Sequence, residues 1–280
     1  GGDWVDVPMV VVGRPGGSDG WRETAAAALE GTAHRFLAAG DDLRGKRVRF
    51  ALATDVGGMD APTLALLRRL RLEKDAMQGS CAAVLLDGAG ELYTKQLAQD
   101  VVFAANGTGC AFMGKPLVEG TGSLYNQHIL SARLGLTPEQ TYRTRARGLV
   151  RRLETFQPPR FRRPRLLMLH ASESGRSSTL WMGREICRRL SDACEITELS
   201  LRNGTIHDCR GCSYRTCLHF AENGGCFYGG AISETVLPAI RDCDAMLFLC
   251  PTYKDAVGAT ISALFIRLTS LQLRSDLYDK

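Results

Sequence analysis

Four cysteines in one short segment carry the strongest chemistry in this chain: Cys209-x2-Cys212-x4-Cys217-x8-Cys226. Two thiolates spaced C-x-x-C grip one metal ion within a tight turn, and Gly211 eases that turn. Four such ligands satisfy either a [4Fe–4S] cluster or tetrahedral zinc, and without metal they are free or redox-active thiols. His207 and His219 flank the segment, either as satisfied surface histidines or as replacements for one cysteine. Tyr214, Phe220, Phe227 and Tyr228 could shield a cluster from water and tune its potential. The other six cysteines, Cys81, Cys110, Cys187, Cys194, Cys243 and Cys250, sit in or beside apolar patterns and read as small buried hydrophobes. Ten cysteines in a chain without an export signal favour a metal site over disulfides.

A second set of groups is hydroxylic. Ser172-Glu173-Ser174-Gly175-Arg176-Ser177-Ser178-Thr179 follows an apolar strand pattern and opens a helix. A helix N-terminus offers unpaired N–H groups and a positive dipole end. Ser172, Ser174, Ser177, Ser178 and Thr179 can donate to a terminal phosphate, and Arg176 can neutralise it. Neither G-x-x-x-x-G-K-[ST] nor G-x-G-x-x-G is present. The plainer reading is an N-cap by Ser177 or Ser178. A third set, Pro251-Thr252-Tyr253-Lys254-Asp255-Ala256-Val257-Gly258, also joins a strand to a helix. Backbone N–H groups of residues 253–257 could reach a flat heterocycle, with Tyr253 bordering it. No Ser-His-Asp or paired-carboxylate site is evident.

Strands and helices must bring these loops to one edge. The second half reads as strand 165–171, helix 178–190, strand 196–201, the cysteine loop, helix 232–243, strand 245–250 and helix 258–271. This order opens a doubly wound parallel sheet, in which ligands sit at strand C-termini. Only three of about five strands are present before Lys280. The first half repeats the grammar, with strands over 7–12, 48–53, 81–86 and 111–118. Its helices are expected over 23–39, 62–76, 94–105 and 137–156. Pro158-Pro159 breaks the last of these. The expected organisation is α/β, with two doubly wound domains in tandem. They are 1–156, a linker 157–164, and 165–280 with an inserted cysteine loop 207–230, the second sheet lacking its last strands.

From about Arg165 to Leu271 the chain resembles the NAD(P)H-dependent FMN reductase group of the flavodoxin-like superfamily, especially its iron–sulfur flavoprotein branch. That group's first loop reads roughly G-S-x-R-x-x-G-N-T. Here Ala171-Ser172-Glu173-Ser174 through Ser178-Thr179 takes those positions, with Ser174 at the family's arginine and Arg176 as its substitute. The group's second loop reads S-P-x-Y-x-x-x-x-x-A before a helix ending F-I-D-R. Here Cys250-Pro251-Thr252-Tyr253 through Ala259 and Leu264-Phe265-Ile266-Arg267-Leu268 match it. The resemblance implies that FMN places its phosphate against Ser172, Ser174, Arg176, Ser177, Ser178 and Thr179. It implies that the ring lies against Pro251, Thr252, Tyr253, Lys254, Asp255, Ala256 and Val257. The family's cluster motif sits in the same loop as Cys209, Cys212, Cys217 and Cys226, with shorter second and third gaps. NAD(P)H as substrate, an acceptor such as a quinone or a protein redox partner, and a homodimer are also implied. The first half resembles a degenerate copy more weakly, through Val84-Leu85-Leu86-Asp87-Gly88 and the segment from Gly114 to Gly122. A structural or dimer-mimicking role is expected for it.

Composition narrows the alternatives. Hydrophobic residues make up 45% and charged residues 23%, as in a globular protein, and no apolar run is long enough to span a membrane. With no secretory pattern at Gly1-Gly2-Asp3-Trp4, a cytoplasmic location is expected. The net charge of +5 allows anionic ligands without demanding nucleic acid. Nine arginines between Arg143 and Arg165 read as a solvated helix face running into a basic linker, with a patch for a nucleotide phosphate or RNA as the alternative. Two other functions fit: an electron carrier for a partner enzyme, or a zinc-stabilised binding protein with a vacated flavin crevice.

Overall fold

Runs of small and branched apolar residues, such as Cys81-Ala-Ala-Val-Leu-Leu86, suit strands buried on both faces. The computed structural model describes residues 9–13, 19–172, 177–202 and 206–273. The chain divides into two units, Gly1–Pro159 and Arg160–Tyr278.

The first unit runs β1 (Met9–Val12), α1 (Asp19–Ala28), β2 (His34–Leu37), β3 (Arg47–Thr54), α2 (Ala61–Leu72), β4 (Cys81–Gly88), α3 (Thr94–Gly107), β5 (Ala111–Gly120), α4 (His128–Leu134) and α5 (Pro138–Thr155). Its five strands are parallel in the order β2-β1-β3-β4-β5. This is the flavodoxin-like order. Strand alternation divides the core into two layers. Val48, Phe50, Leu52, Val84 and Leu86 meet α2 and α3 on one face. Met9, Val11, Ala51, Ala83 and Leu85 meet α1 and α5 on the other. Helix α5 starts where Thr137 accepts from the Gln140 N–H and Gln140 returns the bond to the Thr137 N–H, a capping box with Pro138 behind it.

Two expectations change here. The alanine-rich stretch is not one helix over 23–39. Helix α1 ends at Ala28, Gly31 turns with a φ of +80°, and residues 34–37 form edge strand β2. Its residues are mostly exposed, so it carries no inward apolar alternation for sequence to show. The arginines of α5 are also more than a solvated face. Arg143 pairs with Glu23, Arg147 with Glu30 at 3.1 Å, and Arg152 with the Gly114 carbonyl, so they tie α5 to α1 and β5.

The second unit runs β6 (Arg165–His170), α6 (Ser178–Leu190), β7 (Glu195–Ser200), α7 (Tyr214–Glu222), a π-helical turn Ile232–Val236, α8 (Leu237–Asp242), β8 (Ala245–Leu249), β9 (Thr252–Tyr253), β10 (Ala256–Val257), α9 (Ala259–Arg267) and α10 (Thr269–Gln272). Three parallel strands stand in the order β7-β6-β8. Asp244 fastens β8 to β6 by accepting from Arg165 Nε at 3.1 Å, its NH2 at 3.0 Å and its backbone N–H at 2.9 Å. Helix α6 reaches the sheet at Gly183, where a Cβ would stand 2.3 Å from Leu249 Cδ1. The helix expected over 232–243 opens as a π turn before α8. Pro238 has no N–H for the carbonyl four residues back and its ring would clash there, so the preceding turn widens.

Candidate functional site

The buried strand β6 ends at His170, 4% exposed and fixed from both sides. Its Nδ1 accepts the Ser172 N–H at 3.3 Å, and its Nε2 lies 3.3 Å from Glu198 Oε1 on β7. Since Nδ1 accepts, Nε2 carries the proton and donates to the carboxylate. Arg184 of α6 holds Glu198 with two bonds, of 3.2 and 2.7 Å. This chain fixes where the loop after β6 begins. The loop is drawn together by its hydroxyls: Ser172 Oγ and Ser177 Oγ are 2.9 Å apart. Ser177 also caps α6 by accepting from the Leu180 N–H at 3.2 Å. Ser178 and Thr179 form the first turn. Ser174 and Arg176 lie outside the described residues.

Arg184 beside Glu198 is the main cause holding that carboxyl below its ordinary value of 4.5, with His170 adding to it against the opposing effect of burial. A depressed folded value means that the clamp contributes fully above pH 4.5 and is lost as pH falls through the folded value. The thermal midpoint of the wild type should therefore exceed that of Glu198→Gln near neutrality, and the gap should narrow as pH falls below 4.5. Thermal scans from neutrality into acid check this, and a difference that does not shrink with falling pH would refute the clamp.

The loop after β8 departs from expectation. Residues 252–257 form a two-residue hairpin, with Tyr253 opposite Ala256 and Thr252 opposite Val257. Lys254 and Asp255 turn it with φ values of +49° and +61°, both left-handed, as a type I′ turn requires. The main chain is folded on itself rather than laid open. Tyr253 is 65% exposed, and Thr252, Lys254, Asp255, Ala256 and Val257 are exposed around it, while Pro251 is half-buried.

Both loops leave the same end of adjacent strands, since His170 pairs with Leu249. The chain runs from β6 outward to β7, then returns past β6 to β8. The gap between β6 and β8 is thus the topological switch point, where doubly wound sheets take their ligands. Ser172, Ser177 and the hairpin stand on its two sides. In the first unit the loops after β3, β4 and β5 pack on one another, and the loop after β1, residues 14–18, lies outside the described residues. A Cβ on Gly58 would lie 2.5 Å from Tyr93 Cβ, one on Gly122 would lie 2.7 Å from the Ala89 oxygen, and Glu91 accepts the Ser123 N–H at 2.6 Å.

The cysteine segment lies between β7 and the π turn. Gly211, with a φ of +72°, makes the turn between Cys209 and Cys212. Ser213 caps α7, which carries Cys217. Cys226 follows α7, and Ser233 Oγ bonds its N–H at 3.2 Å and its carbonyl at 3.3 Å. The four thiols are neighbours. Burial pushes the Cys217 thiol up, and Cys212, Cys226 and Cys209 add to the shift. Phe220, Phe227 and Tyr228 form an edge-to-face row with centroids 5.3 and 5.2 Å apart. His219 sits edge-on to Phe220. All ten cysteines are free thiols. Among the described residues, no group of three or more His, Cys, Asp or Glu could hold a metal ion as placed. Of the remaining six cysteines, Cys81, Cys110, Cys187 and Cys243 are buried, and burial pushes Cys81 up to about 11. Cys194 and Cys250 are half-buried.

One residue that spacing did not mark holds this loop. Arg267, on α9 and 2% exposed, donates to the His207 carbonyl at 3.1 Å, the Gly229 carbonyl at 2.7 Å and Ser233 Oγ at 3.2 Å. It joins both stems of the cysteine segment and, through Ser233, touches the environment of Cys226. Its sequence signals were its place as a lone arginine on the apolar helix 261–268 and its match to the arginine of the F-I-D-R pattern.

Compared with known proteins, the chain matches no family model and no curated protein. Among the described residues, no helix is long and apolar enough to cross a membrane.

Proposed function

We propose that the second unit binds FMN and acts as a flavin-dependent oxidoreductase. It would move electrons between NADH or NADPH, or a redox partner, and an acceptor such as a quinone. The observation that carries this is the pairing of a hydroxyl-rich helix N-terminus and a tyrosine hairpin across one switch point. The site fits the phosphate end of FMN. Ser172 and Ser177 present adjacent hydroxyls, and the first turn of α6 adds unpaired N–H groups. His170 and Glu198 fix the loop's start, so these donors are pre-oriented. Tyr253 and Val257, both well exposed, offer an apolar border to a ring system. Bound flavin would supply hydride and single-electron chemistry, and the protein's part is to hold and orient it.

The iron–sulfur reading of the cysteine loop, with zinc as its alternative, rests on donor chemistry, since the thiols as placed form no ligand set. No electron-transfer step is assigned to it. The shared strand order, β2-β1-β3 in the first unit and β7-β6-β8 in the second, supports a tandem origin. A cytoplasmic enzyme working as a homodimer completes the proposal.

Flavin absorption bands in the purified protein, with one FMN released per chain on denaturation, are the expected result. Ser172→Ala and Ser177→Ala should each weaken FMN binding about tenfold, the worth of a hydrogen bond to a charged group. Flavin fluorescence titration of the apoprotein reads this. A colourless protein that binds no added FMN and carries stoichiometric zinc would favour the binding-protein reading, with which the self-closed hairpin agrees.

A further inference from the structure

A cavity of about 610 Å³ opens in the first unit between α1, the sheet and edge strand β2. Val11, Trp21, Ala25, Leu29 and Phe36 form its apolar walls, and Arg49 of β3 lies among them. Sites for small organic ligands are of this size and character. Arg49 is the anomaly. It points to the α1 face of the sheet, where its strand neighbours Met9, Val11 and Ala51 are core residues, and it is 1% exposed. Among the described residues its one hydrogen bond is from NH1 to the Ala25 carbonyl at 3.1 Å, a contact that caps the last turn of α1. Its Nε is buried without a partner. Among the described residues, no carboxylate pairs with it. Glu30, at the cavity rim, pairs with Arg147. Tyr142 donates its hydroxyl to the Leu86 carbonyl and stays neutral, since burial drives its phenol upward. Burial accordingly lowers Arg49 to about 10.

The neighbouring arginine shows what a satisfied buried guanidinium looks like in this sheet. Arg47, two residues earlier on the same face, donates to the Leu153 and Phe156 carbonyls at 2.7 and 2.6 Å at the end of α5. Arg49 has only one such acceptor. A buried cation needs a counter-charge or a full set of acceptors, and among the described residues the one carboxylate lining the cavity, Glu30, is engaged by Arg147.

We infer that this cavity is a binding site for a small amphipathic carboxylate, its anionic head on Arg49 and its aromatic or aliphatic body against Trp21, Leu29 and Phe36. The carboxylate supplies the missing acceptors, and charge-assisted bonds to arginine are strong in such a setting. The site lies in the first unit and does not depend on the flavin reading of the second.

The test is calorimetric titration of the full chain with 3-phenylpropionate and decanoate, and with 3-phenyl-1-propanol as the uncharged control. Both acids should bind, at least tenfold more tightly than the alcohol. Arg49→Met should weaken acid binding at least tenfold and leave the alcohol unchanged. Should Arg49→Met not fold, Phe36→Glu keeps the test open. That residue is 62% exposed, so the substitution spares the core while setting a negative charge at the wall. It should weaken acid binding about tenfold. Equal binding of acid and alcohol, acid binding unaffected by either variant, or no acid binding at millimolar concentration each overturns the inference.

Discussion

Gly13→Ala should lower the thermal midpoint of the first unit by about 10 °C. Gly13 closes β1 with a φ of +130°, a region that L side chains rarely enter. An added Cβ would stand 1.9 Å from the carbonyl oxygen of Ala51 on β3. The obstacle is backbone within the paired strands β1 and β3, whose register runs from Met9 with Arg47 to Val12 with Phe50. No side-chain rotation relieves it. Strain at such a φ costs about 1–3 kcal/mol and overpacking about the same, so a total of about 3–4 kcal/mol follows. At roughly 2–4 °C per kcal/mol for a domain of this size, the shift is measurable by circular dichroism or calorimetry. A neighbouring glycine supplies the control. Gly31 also has a positive φ, +80°, but a Cβ there meets nothing within 4 Å. Gly31→Ala should cost only about 1 kcal/mol. Equal effects at the two sites would show that close approach of β1 to β3 is not the cause.

Arg267→Met should release the cysteine segment while leaving the sheet of the second unit paired. Methionine keeps the apolar stem but removes three donated bonds, to His207, Gly229 and Ser233. Orphaned acceptors cost about 1–3 kcal/mol each when buried. These stems are only partly buried, and losing an uncompensated buried charge offsets part of the penalty, so a net loss of about 2 kcal/mol is expected. Amide exchange across residues 207–230 should accelerate about tenfold or more, with β6 and β8 protected as before. Arg267→Lys should restore little, because a single ammonium cannot span acceptors that a planar fork reaches together. If the loop does hold metal, metal content should fall in both variants. Unchanged exchange in the loop would mean that Arg267 merely fills space.

What could be read from the residues tracks burial. Strands β4 and β6 carry continuous apolar runs, and helix α6 occupies residues 178–190 as its Ser177 cap and apolar spacing foretell. Strand β2 was illegible because an exposed edge strand has no face to keep apolar. The hairpin after β8 was illegible because its turn pair is Lys254-Asp255, not the glycine or asparagine that marks such turns. The roles of Arg49 and Arg267 were illegible for a common reason. A charged residue in an apolar segment reads as pointing to water, and only the fold reveals that each is buried against backbone carbonyls. In the candidate site, serine identity foretold the cap at Ser177 but not the His170–Glu198–Arg184 chain, whose members come from three different elements. Cysteine spacing placed four donors in one segment. It carried no information on whether their sulfur atoms converge on one point.

The clamp on that segment also orders events in time. Arg267 follows His207 by 60 residues and Gly229 by 38. A ribosome therefore delivers all four cysteines before the guanidinium that closes their loop. In that interval the thiols lie on an untethered stretch of nascent chain, open to oxidants and to any metal at hand. Only when α9 emerges and packs do the two stems become fixed. The helix made after the cysteines thus sets when their loop takes its final shape.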